Sequence, residues 1–142
     1  MTPRQSERGA AAVEFVVIVP ALGLLIALMV GAARVWYADT TVEQIAGTAA
    51  RAASLSTTPS EARTAAQRIV RDQASTAGLN CVALQAHVDV GGFQVPVGRP
   101  ASVRVDVHCT VPLSDLVVPG WPGSWQLNAE GSSVLDRYRR RG

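Results

Sequence analysis

The apolar positions change their spacing three times along the chain, and each change predicts a different element. From Phe15 to Ala33 there are 19 consecutive uncharged residues, most of them Val, Leu, Ile or Ala. As a helix at ~1.5 Å per residue they span roughly 28 Å, close to the ~30 Å hydrocarbon thickness of a bilayer. Such a helix is apolar all round, and a chain this small could hardly enclose it as a core element. With the small residues before it, the segment 10–33 reads as a transmembrane helix interrupted by Pro20. Beyond it the pattern narrows to one face. Val35, Ala38, Val42, Ile45, Ala49 and Ala52 are spaced 3, 4, 3, 4, 3, a heptad-like stripe with Arg34, Asp39, Glu43, Gln44 and Arg51 largely off it. This predicts that the helix continues, now amphipathic, over 34–56 and ends near Ser56. The small residues of the stripe permit close approach of a sheet or another helix, either the chain's own domain or a second subunit.

A fresh helix start follows at Thr58-Pro59-Ser60-Glu61. Thr58 suits the N-cap, Pro59 the first turn, and Glu61 stands three residues after the cap. The second helix runs to about Thr76 with Ala62, Ala65, Ala66, Ile69 and Val70 on its apolar face, and Gly78 reads as its C-cap. From there the period becomes two. Val82, Leu84, Ala86, Val88 and Val90 alternate with polar or small residues, and after Gly91-Gly92 and a short segment Phe93–Val97 the alternation returns. Val103, Val105, Val107, Cys109 and Val111 then face one way, and Ser102, Arg104, Asp106, His108 and Thr110 the other. Both runs are half-buried strands of an antiparallel sheet. Pro112 to Gly123 reads as a loop around Trp121, Ser124 to Ala129 as a last strand, and the Arg-rich 137–142 as a solvated basic tail. The fold class is α+β: a long N-terminal transmembrane helix continuing into an amphipathic helix, a short second helix, and a small antiparallel sheet of three to four strands.

Charge narrows the function classes. The 142 residues carry 13 basic side chains, all Arg, against 11 acidic ones, for a formal charge of +2. That balance excludes a strongly basic nucleic-acid binder, and a 48% hydrophobic content excludes a wholly disordered chain. Two cysteines exclude a four-Cys zinc site. Arg4 and Arg8 precede the span while Arg34 and Arg51 follow it, so charge alone barely orients it. The α-amino group, the short N-terminal tail and the position of both cysteines after the span favour the N-terminus inside and the C-terminal part in an oxidising compartment. A secretory signal cut before Arg34 is the competing reading, against which stand the length of the apolar run and Pro20.

His87, Asp89, Arg104, Asp106 and His108 share the polar side of the sheet. One register that aligns the apolar faces sets Asp89 opposite Arg104 and His87 opposite Asp106, which is ordinary surface complementarity. There is no nucleophile elbow, phosphate loop or HExxH, so no catalytic residue, metal site or cofactor is assigned and no small-molecule substrate is expected. A hairpin between the two long strands brings Cys81 toward the end that carries Cys109. Their parity is imperfect, so a disulfide requires a bend or bulge at Cys81; two buried free thiols are the alternative.

Just ahead of the span the chain reads Arg8-Gly9-Ala10-Ala11-Ala12-Val13-Glu14-Phe15. A carboxylate at the edge of a membrane segment is costly and calls for a partner or for the interface. Gly9 followed by AAAVEF resembles the processing site of the type IV pilin superfamily in the form used by tight-adherence (Tad/Flp) pili. The longer string RGAAAVEFVVIVPALGLLIALMVGAARVWY is similar to the start of TadE-like minor pilins, over about residues 4–50. The resemblance implies a pilin-like fold and a non-enzymatic minor pilin or pseudopilin. It implies residues 1–9 as a cytoplasmic leader, cut between Gly9 and Ala10 by a prepilin peptidase. It also implies pairing of Glu14 with the N-terminal amine of a neighbouring subunit, and partners among other pilin subunits, assembly proteins and the cytoplasmic membrane. Residues 57–136 would then form the exported domain. A membrane-anchored exported binding domain unrelated to pili is the alternative, and it needs neither Gly9 nor Glu14.

Overall fold

A computed structural model describes residues 4–116, 120 and 122–138, with side chains described from Phe15 onward. Helix α1 runs unbroken over Arg4–Ser54, 51 residues, a rod of about 77 Å at ~1.5 Å per residue. It ends at Ser54, two residues short of expectation, because the last turn tightens: the Leu55 and Ser56 amides donate to the Ala52 and Ala53 carbonyls, three residues back. Helix α2 (Pro59–Thr76) returns antiparallel along it, bringing Ala77 to the level of Tyr37.

The start of α2 carries the predicted capping box. The Glu61 amide donates to the Thr58 hydroxyl, and the Glu61 carboxylate accepts from the Thr57 hydroxyl at 2.8 Å and from the Thr57 and Thr58 amides at 3.3 Å. These bonds, the Thr57 hydroxyl foremost, hold the Glu61 carboxyl below its ordinary value of 4.5. A carboxylate whose pKa is lowered by folding adds stability above its unfolded pKa, and that stability is lost as pH falls through the lowered value. Wild type and Glu61→Gln should therefore differ most in Tm near neutral pH and converge well below pH 4.5; a gap that persists in acid would contradict the cap. At the other end Ala77 is the C-cap, and Gly78, one position later than expected, takes the left-handed φ of 69°.

The sheet has three antiparallel strands in the order β1-β2-β3: β1 (Ala83–Asp89), β2 (Ser102–Pro112) and β3 (Ser124–Val134). The predicted register holds, with His87 opposite Asp106 and Asp89 opposite Arg104. A 3-10 turn, Gly91–Gln94, buries Phe93 between β1 and β2. Two expectations are corrected. The segment read as a loop from Pro112 contains a short helix, α3 (Leu113–Leu116), whose Leu116 plugs into the core; Val117–Pro119 and Trp121 lie outside the described residues. And β3 continues to Val134 rather than stopping at Ala129. In the basic tail, the Arg137 carbonyl accepts from the Gly98 amide at 2.8 Å, and Arg139–Gly142 lie outside the described residues.

Both helices cover one face of the sheet, α1 against β3 and β2 and α2 against β1. The five apolar positions of β2 are all buried there with Leu127 of β3 and Val88 of β1. The helix side of the core is built almost entirely of Ala and Val, which lets α1 lie close to the sheet. It lies very close at Gly131: a Cβ on that residue would strike the backbone of Ala46.

Candidate functional site: the N-terminal helix

The first half of α1 is laid out unlike the second. Every residue from Phe15 to Val30 is exposed, on all sides of the helix. The helix is long and apolar enough to cross a membrane from Phe15 onward. Pro20 removes one helical N–H and its bond four residues back, yet α1 continues through it; apolar spanning helices tolerate proline better than soluble ones.

Gly9, Ala10 and Glu14 belong to the same helix by their backbones, and their side chains lie outside the described residues. Ala10 and Glu14 are four residues apart, one helical turn. The roles expected of these three residues come from the resemblance alone.

The stripe on the second half of α1 is consumed within the chain. Ala38, Val42, Ile45 and Ala49 are buried, and Val35 and Ala52 are half-buried. Ala46, Ala50 and Ala53 are buried as well. Sequence spacing missed these three because a single seam was assumed, whereas α1 packs against both the sheet and α2 and buries a wider arc. The surface of α1 left uncovered by the chain's own domain is the segment Phe15–Val30 and the polar back of its second half.

The polar sheet face forms side-chain pairs. Arg104 Nε meets Glu130 Oε1 at 2.7 Å, so its carboxylate partner is on β3 and not Asp89 on β1. Asp89 instead accepts from the Gly91 amide at 2.9 Å, closing the turn after β1. His108 Nδ1 lies 2.7 Å from Asn128 Oδ1. All are solvent-exposed, where such pairs contribute little. Among the described residues no three His, Cys, Asp or Glu side chains are grouped to hold a metal ion.

Cys81 is joined to Cys109, with Cα atoms 5.4 Å apart. The register explains how the parity conflict is resolved. Cys109 faces the core opposite Leu84, and the chain bends at Val82 before β1 begins, with the Cys81 amide turned back to the Leu79 carbonyl. The bend lets a residue out of phase with the strand reach the buried thiol.

These features define a class: an α+β domain carried on one long helix whose segment Phe15–Val30 is apolar and exposed on every side. Within that class the N-terminal segment is specific. Residues 9–51 match the family model described as TadE-like protein, the family that this stretch resembles, consistent with a TadE-like protein of the Tad pilus system. No curated protein and no solved structure matches the chain significantly.

Proposed function

We propose that this chain is a non-enzymatic minor pilin or pseudopilin of a Tad-type pilus assembly and secretion apparatus, acting by helix packing during priming or assembly. The observation that carries the reading is the match over residues 9–51, which takes in Gly9, Glu14 and the whole exposed apolar segment and stops where α1 has entered the domain core. In this reading the helix crosses the cytoplasmic membrane with residues 1–9 inside and the sheet domain outside. A prepilin peptidase cuts between Gly9 and Ala10. The helix then remains in the membrane until it packs against those of other pilin subunits and assembly proteins.

Glu14 has a physical reason to matter in such a bundle. A carboxylate and an ammonium that enter lipid together each relieve the cost of the other, while either alone is strongly disfavoured. The free amine made at Ala10 of one subunit is the natural counter-charge for Glu14 of the next. The domain's disulfide accords with export to an oxidising compartment.

The test is a pair of variants in the native host. Gly9→Val should accumulate as the uncut chain. Glu14→Ala should be cut normally yet fail to support pilus assembly. A Gly9→Val chain still trimmed at Ala10 removes the peptidase assignment, and an unimpaired Glu14→Ala strain removes the pairing. If both variants behave as wild type, an anchored binding domain unrelated to pili takes the lead.

A further inference from the structure

The end of the sheet nearest the apolar segment carries large apolar side chains that the core does not cover. Strand β3 runs alongside α1, with Gly131 against Ala46 and the Ser133 hydroxyl donating to that of Ser54 at 3.0 Å. Six residues back along β3 is Trp125, about 20 Å at ~3.3 Å per residue. The same distance back along α1 is about 13 residues at ~1.5 Å, which arrives at Ala33, the end of the apolar run. A second observation fixes the same level independently. Val111, paired with Trp125 across the sheet, lines an open apolar groove of about 430 Å³ together with Val30, Ala33, Tyr37, Leu79 and Leu116.

Trp125 has the parity of Leu127, Ala129 and Gly131, the helix-facing side of β3, yet it is 52% exposed. Val82, ahead of β1 at the same end, is 71% exposed. On α1, Trp36 is 71% and Tyr37 61% exposed, just beyond the apolar run. Tryptophan and tyrosine favour the boundary between headgroups and hydrocarbon, where a flat apolar ring and a polar N–H or O–H are both accommodated. Arg34, exposed at the rim of the groove, can extend its stem along apolar surface and its guanidinium to a phosphate.

We propose that this end of the domain is a lipid-facing platform. Trp125 and Val82 rest with Trp36 and Tyr37 in the headgroup region of the leaflet from which α1 emerges, so that the sheet is seated on the membrane rather than held away from it. The occupant is the phospholipid leaflet because one wall of the groove, Val30 and Ala33, is the same helix surface that lipid covers in the span. The inference rests on the membrane reading of α1 and adds to it the contact made by the sheet.

The test uses the full chain in phosphatidylcholine vesicles doped with nitroxide-labelled phosphatidylcholine. Trp36→Phe with Trp121→Phe leaves Trp125 as the reporter. Leu24→Trp, in a chain whose three native tryptophans are Phe, reports the span itself. The platform predicts that Trp125 is quenched about twofold more by a label near the headgroup than by one near the acyl-chain end, the reverse of the order expected for the Leu24→Trp reporter. A Trp125 untouched by either label while the Leu24→Trp reporter is quenched by the deep one overturns the platform and leaves the span standing, as would be seen if another protein covered this face. A Leu24→Trp reporter that no label quenches overturns both. Val82→Trp, in the same Trp-free background, is a second reporter with the same expected depth should the first variant fold poorly.

Discussion

A Gly131→Val chain is expected to lose its folded sheet domain. Gly131 is buried in β3, and a Cβ built on it would collide with the carbonyl of Ala46 and approach the amide of Gly47. These are backbone atoms of a continuous helix, so no side-chain rotation relieves the clash. Either α1 moves off the sheet, opening the Ala- and Val-lined contact along its length, or β3 bends away. Overpacking a tight core costs about 1–3 kcal/mol and occasionally more, against a total of about 5–15 kcal/mol for a small domain. Gly131→Ala should fall in that range, and valine beyond it. Gly47 is the control. It is exposed on α1 with open space where a Cβ would stand, so Gly47→Ala should raise stability by about 0.5–1 kcal/mol through helix propensity. Thermal melts in detergent followed by circular dichroism separate the two. A Gly131→Ala chain with unchanged Tm would mean that α1 does not lie on the sheet as described.

Removing the disulfide should be nearly as costly. Cys81 and Cys109 are 28 residues apart and enclose β1, the 3-10 turn and most of β2. Chain-entropy arithmetic gives about 3–4 kcal/mol for closing a loop of that size in the unfolded state. Cys109 is also fully buried opposite Leu84, so truncation there adds a small cavity. Denaturant unfolding of Cys81→Ala/Cys109→Ala should show a midpoint well below that of the oxidised wild type, and reductant should move the wild type in the same direction. A wild-type midpoint that reductant leaves unchanged would exclude the bridge from the stability of the domain.

What the sequence made legible follows from how locally each feature is encoded. The alternation in β2 and the capping box at Thr58 are set by residues within a few positions of one another, and both appear as read. The register of β1 on β2 also follows, because a slip of one residue would turn Val103 to Val111 outward. What could not be read depends on tertiary approach. Gly131 with Ser132-Ser133 looks like the end of a strand, yet glycine is required there for β3 to pass under α1. Ala46, Ala50 and Ala53 carry no hydrophobic signal strong enough to announce a second packing surface. Leu113–Leu116 sits in a stretch punctuated by Pro and Gly, and its helical turn buries Leu116 in the core, a contact that depends on the rest of the fold. The groove and the half-exposed Trp125 arise from the level at which the sheet meets α1, which no single stretch of sequence states.

For the N-terminal helix the legibility is of another kind. Its apolar length is plain from composition, whereas the roles proposed for Gly9, Ala10 and Glu14 rest on a resemblance to a family. The most direct test of that account is the N-terminal residue of the mature protein purified from its native membrane, read by intact mass. A chain beginning at Ala10 is the predicted result. A chain beginning at Met1 or at Arg34 would contradict it, the first by leaving a plain anchor and the second by discarding the span altogether.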